Sequence, residues 1–255
     1  MSVLRLDTDG WVLTATLDDA ATRNALSDAM VTAFEAMLHA TEPDRGVRAI
    51  VLRGAHGSFC AGADLRTGTG SAEQAWARNA RGGALFARLA AHPAVVIAVV
   101  DGPAFGGGFG LACCADFILC GAGAKFALSE TSLGLVPAQI APHVVARVGL
   151  ATAKRLALTA ARLDGTEAVA IGLADSAHTD AASVDAALAT LLDGIGRCAP
   201  GANAATKRLL AEASRATPEF ITHAADVFAE SLTGEEGREG IAAFAERRKP
   251  RWTSR

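Results

Sequence analysis

Residues 94–112 read AVVIAVVDGPAFGGGFGLA and carry the clearest indication of the architecture. The wholly apolar run Ala94–Val100 is typical of a strand that is buried on both faces, as in a parallel sheet. Asp101-Gly102-Pro103 then turns the chain, and Gly106-Gly107-Gly108 leads into a predicted helix that includes Phe109–Ala115. A strand, a glycine turn and a helix in succession predict an α/β fold with parallel pairing.

The patterns on either side of this stretch extend the same architecture. A hairpin is predicted at the N-terminus, where two apolar runs flank Asp9-Gly10. Ser27 is predicted to cap a helix, and a second helix over Ser71–Ala91 is predicted to end before Pro93. Further short strands are predicted at Val47–Leu52, Phe117–Cys120 and Lys125–Leu128.

Helical patterns dominate beyond Pro137. Asp164-x-x-Glu167 and Thr233-x-x-Glu236 both match capping boxes, which mark helix starts. The sequence therefore predicts an α/β core followed by a helical module.

Composition excludes several classes of protein. The 255 residues carry a net charge of −3 and are 51% hydrophobic, which favours a buried core and argues against a nucleic-acid partner. The apolar run Ala94–Val100 is too short to cross a membrane, and no secretory signal is visible, so a cytoplasmic location is expected. An odd number of cysteines without ligand spacing argues against disulfides and a zinc site; they are Cys60, Cys113, Cys114, Cys120 and Cys198.

Two glycine-rich segments could carry chemistry through their backbone. Small residues in Ser58–Leu65 would let the main chain approach a ligand closely, although a tight loop explains them equally well. The amides at Gly106–Gly108 precede a helix, so they favour an anion or a developing oxyanion. A dinucleotide site is disfavoured because Leu111 stands where G-x-G-x-x-G requires glycine. The phosphate loop that ends in Lys and Ser/Thr is missing as well.

Glu130 is the candidate acid/base. A glutamate at this kind of position is commonly a first-turn helix carboxylate, here with Ser129 as the cap. Its apolar surroundings also favour a raised pKa, which proton transfer at physiological pH requires. Both interpretations stay open on the pattern alone.

Taken in order, these segments resemble the crotonase (enoyl-CoA hydratase/isomerase) superfamily. Phe59–Leu65 and Gly106–Gly108 are similar to its two oxyanion-hole segments, and Glu130–Pro137 to its second catalytic-glutamate segment. Arg23–Ser27 resembles the early loop that contacts CoA, and Gly240–Pro250 the family's C-terminal ending. The resemblance implies a crotonase-like ββα spiral core over residues 1–195 and a C-terminal helical trimerisation module over residues 196–255.

The resemblance also implies the roles of individual residues. The amides of Ala63 and Gly107 would hold the thioester oxygen, and Glu130 would exchange a proton with the acyl chain or with water. CoA contacts are implied for Arg23, Ala25, Leu26, Ala61, Ala63, Asp64, Leu65, Arg66, Phe244 and Lys249. Coenzyme A would enter as part of the substrate thioester, with no permanently bound cofactor and no metal. A homotrimer or a dimer of trimers is implied. On spacing alone, the basic cluster 247–251 is instead a solvated tail.

One departure from the family pattern bears on mechanism. Two-glutamate hydratases of the family carry a Glu at the position of Gly110. The site could therefore belong to a 2-enoyl-CoA hydratase that uses Glu130 alone, to a 3-enoyl to 2-enoyl-CoA isomerase, or to a non-catalytic CoA-binding protein. The stretches Gly106–Leu111 and Pro137–Pro142, together with Ser129-Glu130, resemble hydratases of branched glutaconyl-CoA esters. Gln139 and His143 are candidate pocket residues, with helix packing as the alternative for His143.

Overall fold

A computed structural model describes residues 2–67, 71–213 and 217–253. The strands are β1 (Leu4–Asp9), β2 (Val12–Leu17), β3 (Ala49–Gly54), β4 (Val95–Val100), β5 (Pro103–Phe105), β6 (Phe117–Gly121), β7 (Lys125–Ala127), β8 (Arg162–Asp164) and β9 (Ser176–His178). The helices are α1 (Asp28–Thr41), α2 (Ala72–Ala90), α3 (Gly107–Cys113), α4 (Ala141–Thr159), α5 (Gly165–Ala170), α6 (Ala181–Gly196), α7 (Pro200–Glu212), α8 (Pro218–Thr233) and α9 (Glu235–Ala245). The α/β fold class predicted from the sequence is confirmed.

The main sheet has the strand order β1-β2-β3-β4-β6-β9. The β1–β2 hairpin is antiparallel, as Asp9-Gly10 predicts, and every later pair in this sheet is parallel. A second, smaller sheet has the order β5-β7-β8. It begins directly after β4, so the chain passes from one sheet to the other immediately before the glycine run.

The central strand β4 is buried along its whole length, as its composition predicts. Its side chains alternate between two apolar layers because successive residues of a strand point to opposite faces. Val96, Ala98 and Val100 belong to the larger layer, which includes α1 and α3. Val95, Ile97 and Val99 pack in the smaller layer, towards α6.

The predicted helix-start signals at Ser27 and Asp164 are confirmed, and Ser71, predicted only as the first residue of a helix, is a cap as well. The side chains of Ser27, Ser71 and Asp164 each accept a backbone N–H at the start of α1, α2 and α5. The capping box Thr233-x-x-Glu236 is wrong, because Thr233 is the last residue of α8 and Gly234 is the N-cap of α9. Glu236 instead accepts the amides of residues 201 and 202 at the start of α7, at 3.0 and 3.1 Å. The local pattern predicts that the Glu236 carboxylate caps its own helix, α9, but the packing of the helices places it at the start of α7 instead.

Arg48 fastens the C-terminal segment to the core. Its guanidinium donates to the carbonyl oxygens of Ile195, Gly196 and Cys198 at the end of α6, and to that of Trp252 at 2.7 Å. The same guanidinium lies 4.7 Å from the centre of the Trp11 ring. One cation therefore joins the hairpin, the end of α6 and the last described residues of the chain.

Candidate active site

Asn24 holds the first candidate loop in place. Its side chain is fully buried, accepts the Asp19 amide at 2.8 Å, and donates to the carbonyl oxygens of Ala55 and Ser58 at 2.9 and 2.7 Å. Its backbone is left-handed, with φ of 61°, a conformation that asparagine tolerates better than most residues. These bonds attach the loop that follows β3 to the segment that precedes α1.

The early segment also reaches the next residues of the same loop. The carbonyl oxygen of Arg23 accepts the Ala61 amide at 3.1 Å, and Leu26 donates its amide to the Gly62 carbonyl oxygen at 2.8 Å. Leu26 and Ala63 form an isolated parallel bridge. The segment that resembles the CoA loop therefore forms one side of the backbone around Ala63.

The glycine run forms the other side. Cys60 and Ala104 form an isolated parallel bridge, and the Gly106 amide donates to the Ala127 carbonyl oxygen at 2.9 Å. A Cβ built at Gly108 would overlap the carbonyl oxygen of Cys60, so this position has no room for a side chain. The two candidate loops are held together through their main chains.

Gly62 and Gly107 lie where the two loops touch. A Cβ at Gly62, whose φ is 94°, would lie 2.7 Å from the Phe105 carbonyl oxygen and 3.3 Å from the Gly107 nitrogen. A Cβ at Gly107 would lie 3.6 Å from the Ala63 nitrogen. Neither the Ala63 amide nor the Gly107 amide donates to an acceptor within the described parts of the chain. Two neighbouring amide donors are thus left for a ligand.

Glu130 lies against the same glycine run. A Cβ at Gly106 would be 3.1 Å from Glu130 Oε1, so the missing side chain makes room for the carboxylate. Glu130 is half-buried, and burial raises its pKa above the ordinary value. Its Oε2 atom is buried and has no hydrogen-bond partner among the residues described. A partly desolvated carboxylate with one unpartnered oxygen is suited to accept a proton.

The helix-cap interpretation of Ser129 is wrong. Glu130 begins a short 3₁₀ turn, Glu130–Leu133, and the Ser129 side chain makes no capping hydrogen bond there. The turn ends at Gly134, which is left-handed with φ of 74°. The Glu130 carbonyl oxygen accepts the Leu135 amide at 3.0 Å, which fixes the backbone beside the carboxylate.

Gly110 packs directly against Ile140. A Cβ at Gly110 would lie 2.6 Å from the Ile140 Cβ and closer still to its Cγ2. Ile140 is 4% exposed and is the N-cap residue of α4. The position at which two-glutamate relatives carry a carboxylate is therefore occupied by an apolar neighbour.

The two candidate pocket residues Gln139 and His143 both contact α2. Gln139 donates to Asn79 Oδ1 at 2.9 Å, and its side chain fills the space above Gly83. His143 packs edge-on against Phe86, with ring centres 6.3 Å apart, and burial lowers its pKa. The contact with Phe86 agrees with a helix-packing role for His143.

The predicted CoA-contacting residues on the early loops differ in their charge environment. Asp64 accepts two hydrogen bonds from the Arg66 guanidinium, at 2.9 and 3.0 Å, which lowers the pKa of Asp64. Arg66 also donates to the Ala21 carbonyl oxygen. Ala25 is buried, and Leu65 is 56% exposed. Arg23 is exposed and makes no ion pair within the described residues.

The remaining two, Phe244 and Lys249, lie in α9 and in the segment that follows it. Phe244 is 88% exposed on α9. No hydrogen bond or ion pair within the described parts of the chain joins either residue to the Glu130 site. The basic cluster is not simply a solvated tail, because Arg248 donates to Glu239 at 2.6 Å. That hydrogen bond, with another from the Arg251 amide, lowers the pKa of Glu239 to about 2.

The described residues form neither a metal centre nor a membrane span. Within residues 2–67, 71–213 and 217–253, no group of three or more His, Cys, Asp or Glu side chains is arranged to hold a metal ion. Over the same residues, no helix is both long and apolar enough to cross a membrane. A recess of about 620 Å³ lies beside α9, lined in part by Glu235, Arg238 and Glu239. Its lining contains no residue of the Glu130 site.

The fold is that of the crotonase superfamily. The sequence profile of the family described as enoyl-CoA hydratase/isomerase matches residues 7–255, and the chain belongs to this family. Enzymes of the family act on CoA thioesters. The family membership predicted from the sequence is confirmed.

Individual relatives agree along nearly the whole chain. The structure of Pseudomonas aeruginosa AtuE is 47% identical, with a TM-score of 0.95, over 99% of this chain and 100% of that one. An enoyl-CoA hydratase/isomerase from Marinobacter aquaeolei is 38% identical, with a TM-score of 0.93, over the full length of both chains. The human enoyl-CoA hydratase domain-containing protein 2, mitochondrial, is 33% identical over 91% of this chain and 82% of its own.

The contacts of two residues that pack around the site were not predicted from the sequence. Asn24 carries a readable signal, because asparagine is enriched at left-handed positions, but its partners lie 31 and 34 residues away. Ile140 carries no signal at all, since an isoleucine near a helix start is ordinary. Ile140 affects the site only because it packs against Gly110.

Proposed function

We propose that this protein is a 2-enoyl-CoA hydratase that uses the amides of Ala63 and Gly107 as an oxyanion hole and Glu130 as its acid/base. The observation that carries the proposal is the position of the Glu130 carboxylate over Gly106, with its buried Oε2 atom unpartnered among the described residues, near the two amides that make no hydrogen bond there. The family membership supplies the substrate class, a CoA thioester.

The two amides would act on the thioester oxygen. As a nucleophile adds to the third carbon of the enoyl chain, negative charge develops on that oxygen in an enolate-like state. Fixed N–H donors stabilise such charge without reorganisation, and removing one typically costs about 10²–10³ in rate. Backbone donors explain why the loops require small residues.

Glu130 would serve both proton steps. Its carboxylate takes a proton from water as the water oxygen bonds to the third carbon and the π electrons move to the thioester. The carboxylic acid so formed then gives the proton to the second carbon, which collapses the enolate and restores the carboxylate. The raised pKa of Glu130 suits this exchange, since acid and base forms are then both accessible near neutral pH.

A second candidate function is enoyl-CoA isomerisation. Gly110 favours it, because the position carries no second carboxylate to hold the water. Glu130 would take a proton from the second carbon of a 3-enoyl-CoA, the double bond would move one position, and Glu130 would return the proton to the fourth carbon.

We propose that CoA lies along the paired loops. Arg23 and Arg66, with Ala25, Leu26, Ala61, Asp64 and Leu65, would line its path. Arg23 is the stronger candidate for a phosphate contact, because the Arg66 guanidinium is already paired with Asp64. We therefore expect Arg23→Gln to raise the KM for acyl-CoA more than Arg66→Gln does.

The C-terminal module would complete the CoA site in an assembly. We propose that residues 196–255 mediate a homotrimer or a dimer of trimers, and that Phe244 and Lys249 reach the CoA of a neighbouring copy. The large exposed apolar side chains of this module support the proposal; they are Leu210, Ile221, Phe228, Leu232, Ile241 and Phe244. Light scattering on the purified protein measures the assembly, and a monomer at working concentration would contradict it. A cytoplasmic location stays a prediction.

For the acyl chain we propose a branched glutaconyl-type ester. The proposal rests on the resemblance of Gly106–Leu111 and Pro137–Pro142 to hydratases of such esters. A panel of straight, branched and glutaconyl-type enoyl-CoA esters should show the highest kcat/KM for the branched glutaconyl forms.

One assay separates the candidate functions. Hydration removes the enoyl-thioester absorbance and incorporates oxygen from isotopically labelled water, whereas isomerisation incorporates none. Glu130→Gln should lower kcat by about 10²–10⁴, the range for a lost general acid/base. If the wild type converts no ester of the panel and Glu130→Gln binds acyl-CoA as the wild type does, the protein is a non-catalytic CoA binder.

A further inference from the structure

The contact between α3 and α4 determines which groups can reach the substrate beside Glu130. Gly110 is in α3, and its amide donates to the Gly106 carbonyl oxygen at 3.0 Å, so the two glycines are one helical turn apart. Glu130 lies against Gly106, and Ile140 lies against Gly110. Glu130 and Ile140 thus pack against α3 one helical turn apart, Glu130 at its N-terminus and Ile140 at Gly110.

We infer that Ile140 closes this site to a second protein carboxylate, so that the single-glutamate arrangement is built into the packing of α3 on α4. This inference rests on the proposed function of Glu130. It goes beyond that function because it assigns a role to Ile140 and predicts which substitutions can restore a two-carboxylate site.

The obstruction cannot be relieved by a change of rotamer. A side chain at position 110 would begin 2.6 Å from the Cβ of Ile140, and a Cβ moves only with its backbone. The backbone of Ile140 is held in turn, because its carbonyl oxygen accepts the Val144 amide at 3.0 Å inside α4. Any residue larger than glycine at 110 must therefore push the two helices apart.

The backbone of Gly110 is not what excludes a side chain. Gly110 lies inside α3, and its φ lies outside the left-handed range. Alanine would normally be favoured over glycine at such a position. The steric contact with Ile140 alone reverses the preference, and this reversal can be measured.

Alanine substitutions provide the first test. Gly110→Ala should lower the melting temperature by about 2–10 °C, the effect of overpacking in a domain of this size. Gly82→Ala is the matched control, since Gly82 is inside α2 and a Cβ there has nothing within 4 Å. This control should keep or raise the melting temperature. In an Ile140→Gly background, Gly110→Ala should no longer destabilise.

The second test restores the missing carboxylate. Gly110→Glu alone should unfold the protein or abolish its activity. Gly110→Glu combined with Ile140→Gly should recover the circular dichroism of the Ile140→Gly variant and add a second ionisation to the pH profile of kcat/KM.

The inference is overturned if Gly110→Ala is as stable as the wild type, or if Gly110→Glu alone is folded and active. It is also overturned if a folded Gly110→Glu/Ile140→Gly variant keeps the pH profile of Ile140→Gly. The melting temperatures decide the steric part even where the glutamate variants do not fold. Failure of the proposed function is distinguishable, because the wild type would then be inactive while the alanine series still shows the reversal.

Discussion

Replacing Asn24 with alanine should cost the protein a large part of its stability, because three buried hydrogen bonds depend on one side chain. Asn24 is 0% exposed and bonds to Asp19, Ala55 and Ser58. At about 1 kcal/mol for each bond, the loss is about 3 kcal/mol. The left-handed backbone adds roughly 1–2 kcal/mol for alanine. We therefore expect the free energy of unfolding to fall by about 4–5 kcal/mol.

Urea titration followed by circular dichroism measures this loss. Asn24→Gly is the matched control, because it removes the same hydrogen bonds but accepts the positive φ of 61°. It should be more stable than Asn24→Ala while losing roughly 3 kcal/mol relative to the wild type. A loss below about 1 kcal/mol for Asn24→Ala would refute the assignment of Asn24 as the anchor of the loop.

Three further predictions concern buried charge and the C-terminal segment. Because burial raises the pKa of Glu130, the carboxylate destabilises the fold as the pH rises above the ordinary glutamate range. Glu130→Gln should thus melt higher than the wild type near neutral pH, and a lower melting temperature there would contradict the assigned burial. Burial lowers the pKa of His92 from 6.5 to about 4, so its contribution to stability, roughly 3 kcal/mol, should disappear as the pH falls through that window. His92→Gln should reduce the pH dependence of the free energy of unfolding between pH 6.5 and about 4. An unchanged pH dependence in this variant would contradict the assigned role of His92. Arg48→Met should cost about 3 kcal/mol by removing the guanidinium that donates to the carbonyl oxygens of Gly196, Cys198 and Trp252, and limited proteolysis should then cut first near Trp252. Equal protease resistance in Arg48→Met and wild type would show that Arg48 does not fasten the C-terminal segment.

Interactions between residues near in sequence were predictable from the sequence. Ser27, Ser71 and Asp164 cap helices whose amides lie three residues away, and the Asp9-Gly10 turn joins neighbouring strands. The apolar run of β4 needs no partner to be recognised as a buried strand. The family was also predictable from the sequence, because its two loop segments and its glutamate segment occur in the expected order along the chain.

Contacts between distant residues were not predictable. Glu236 matches a local capping box, yet its carboxylate accepts an amide at the start of α7 from a residue 35 positions earlier, because the packing of the C-terminal helices brings that helix start closer. Ser129 fails as a cap for a different, local reason, since the chain there forms a short 3₁₀ turn, Glu130–Leu133, in which the Ser129 side chain makes no capping hydrogen bond.

The sequence by itself determined the α/β class, the family and the glycines that give two loops their close approach. The tertiary structure alone decided that Gly106 makes room for Glu130 and that Ile140 fills the space beside Gly110. The physical reason is that a glycine in the sequence indicates only that a neighbouring group lies too close for a side chain. Which neighbour occupies that space depends on how helices far apart in the chain pack together.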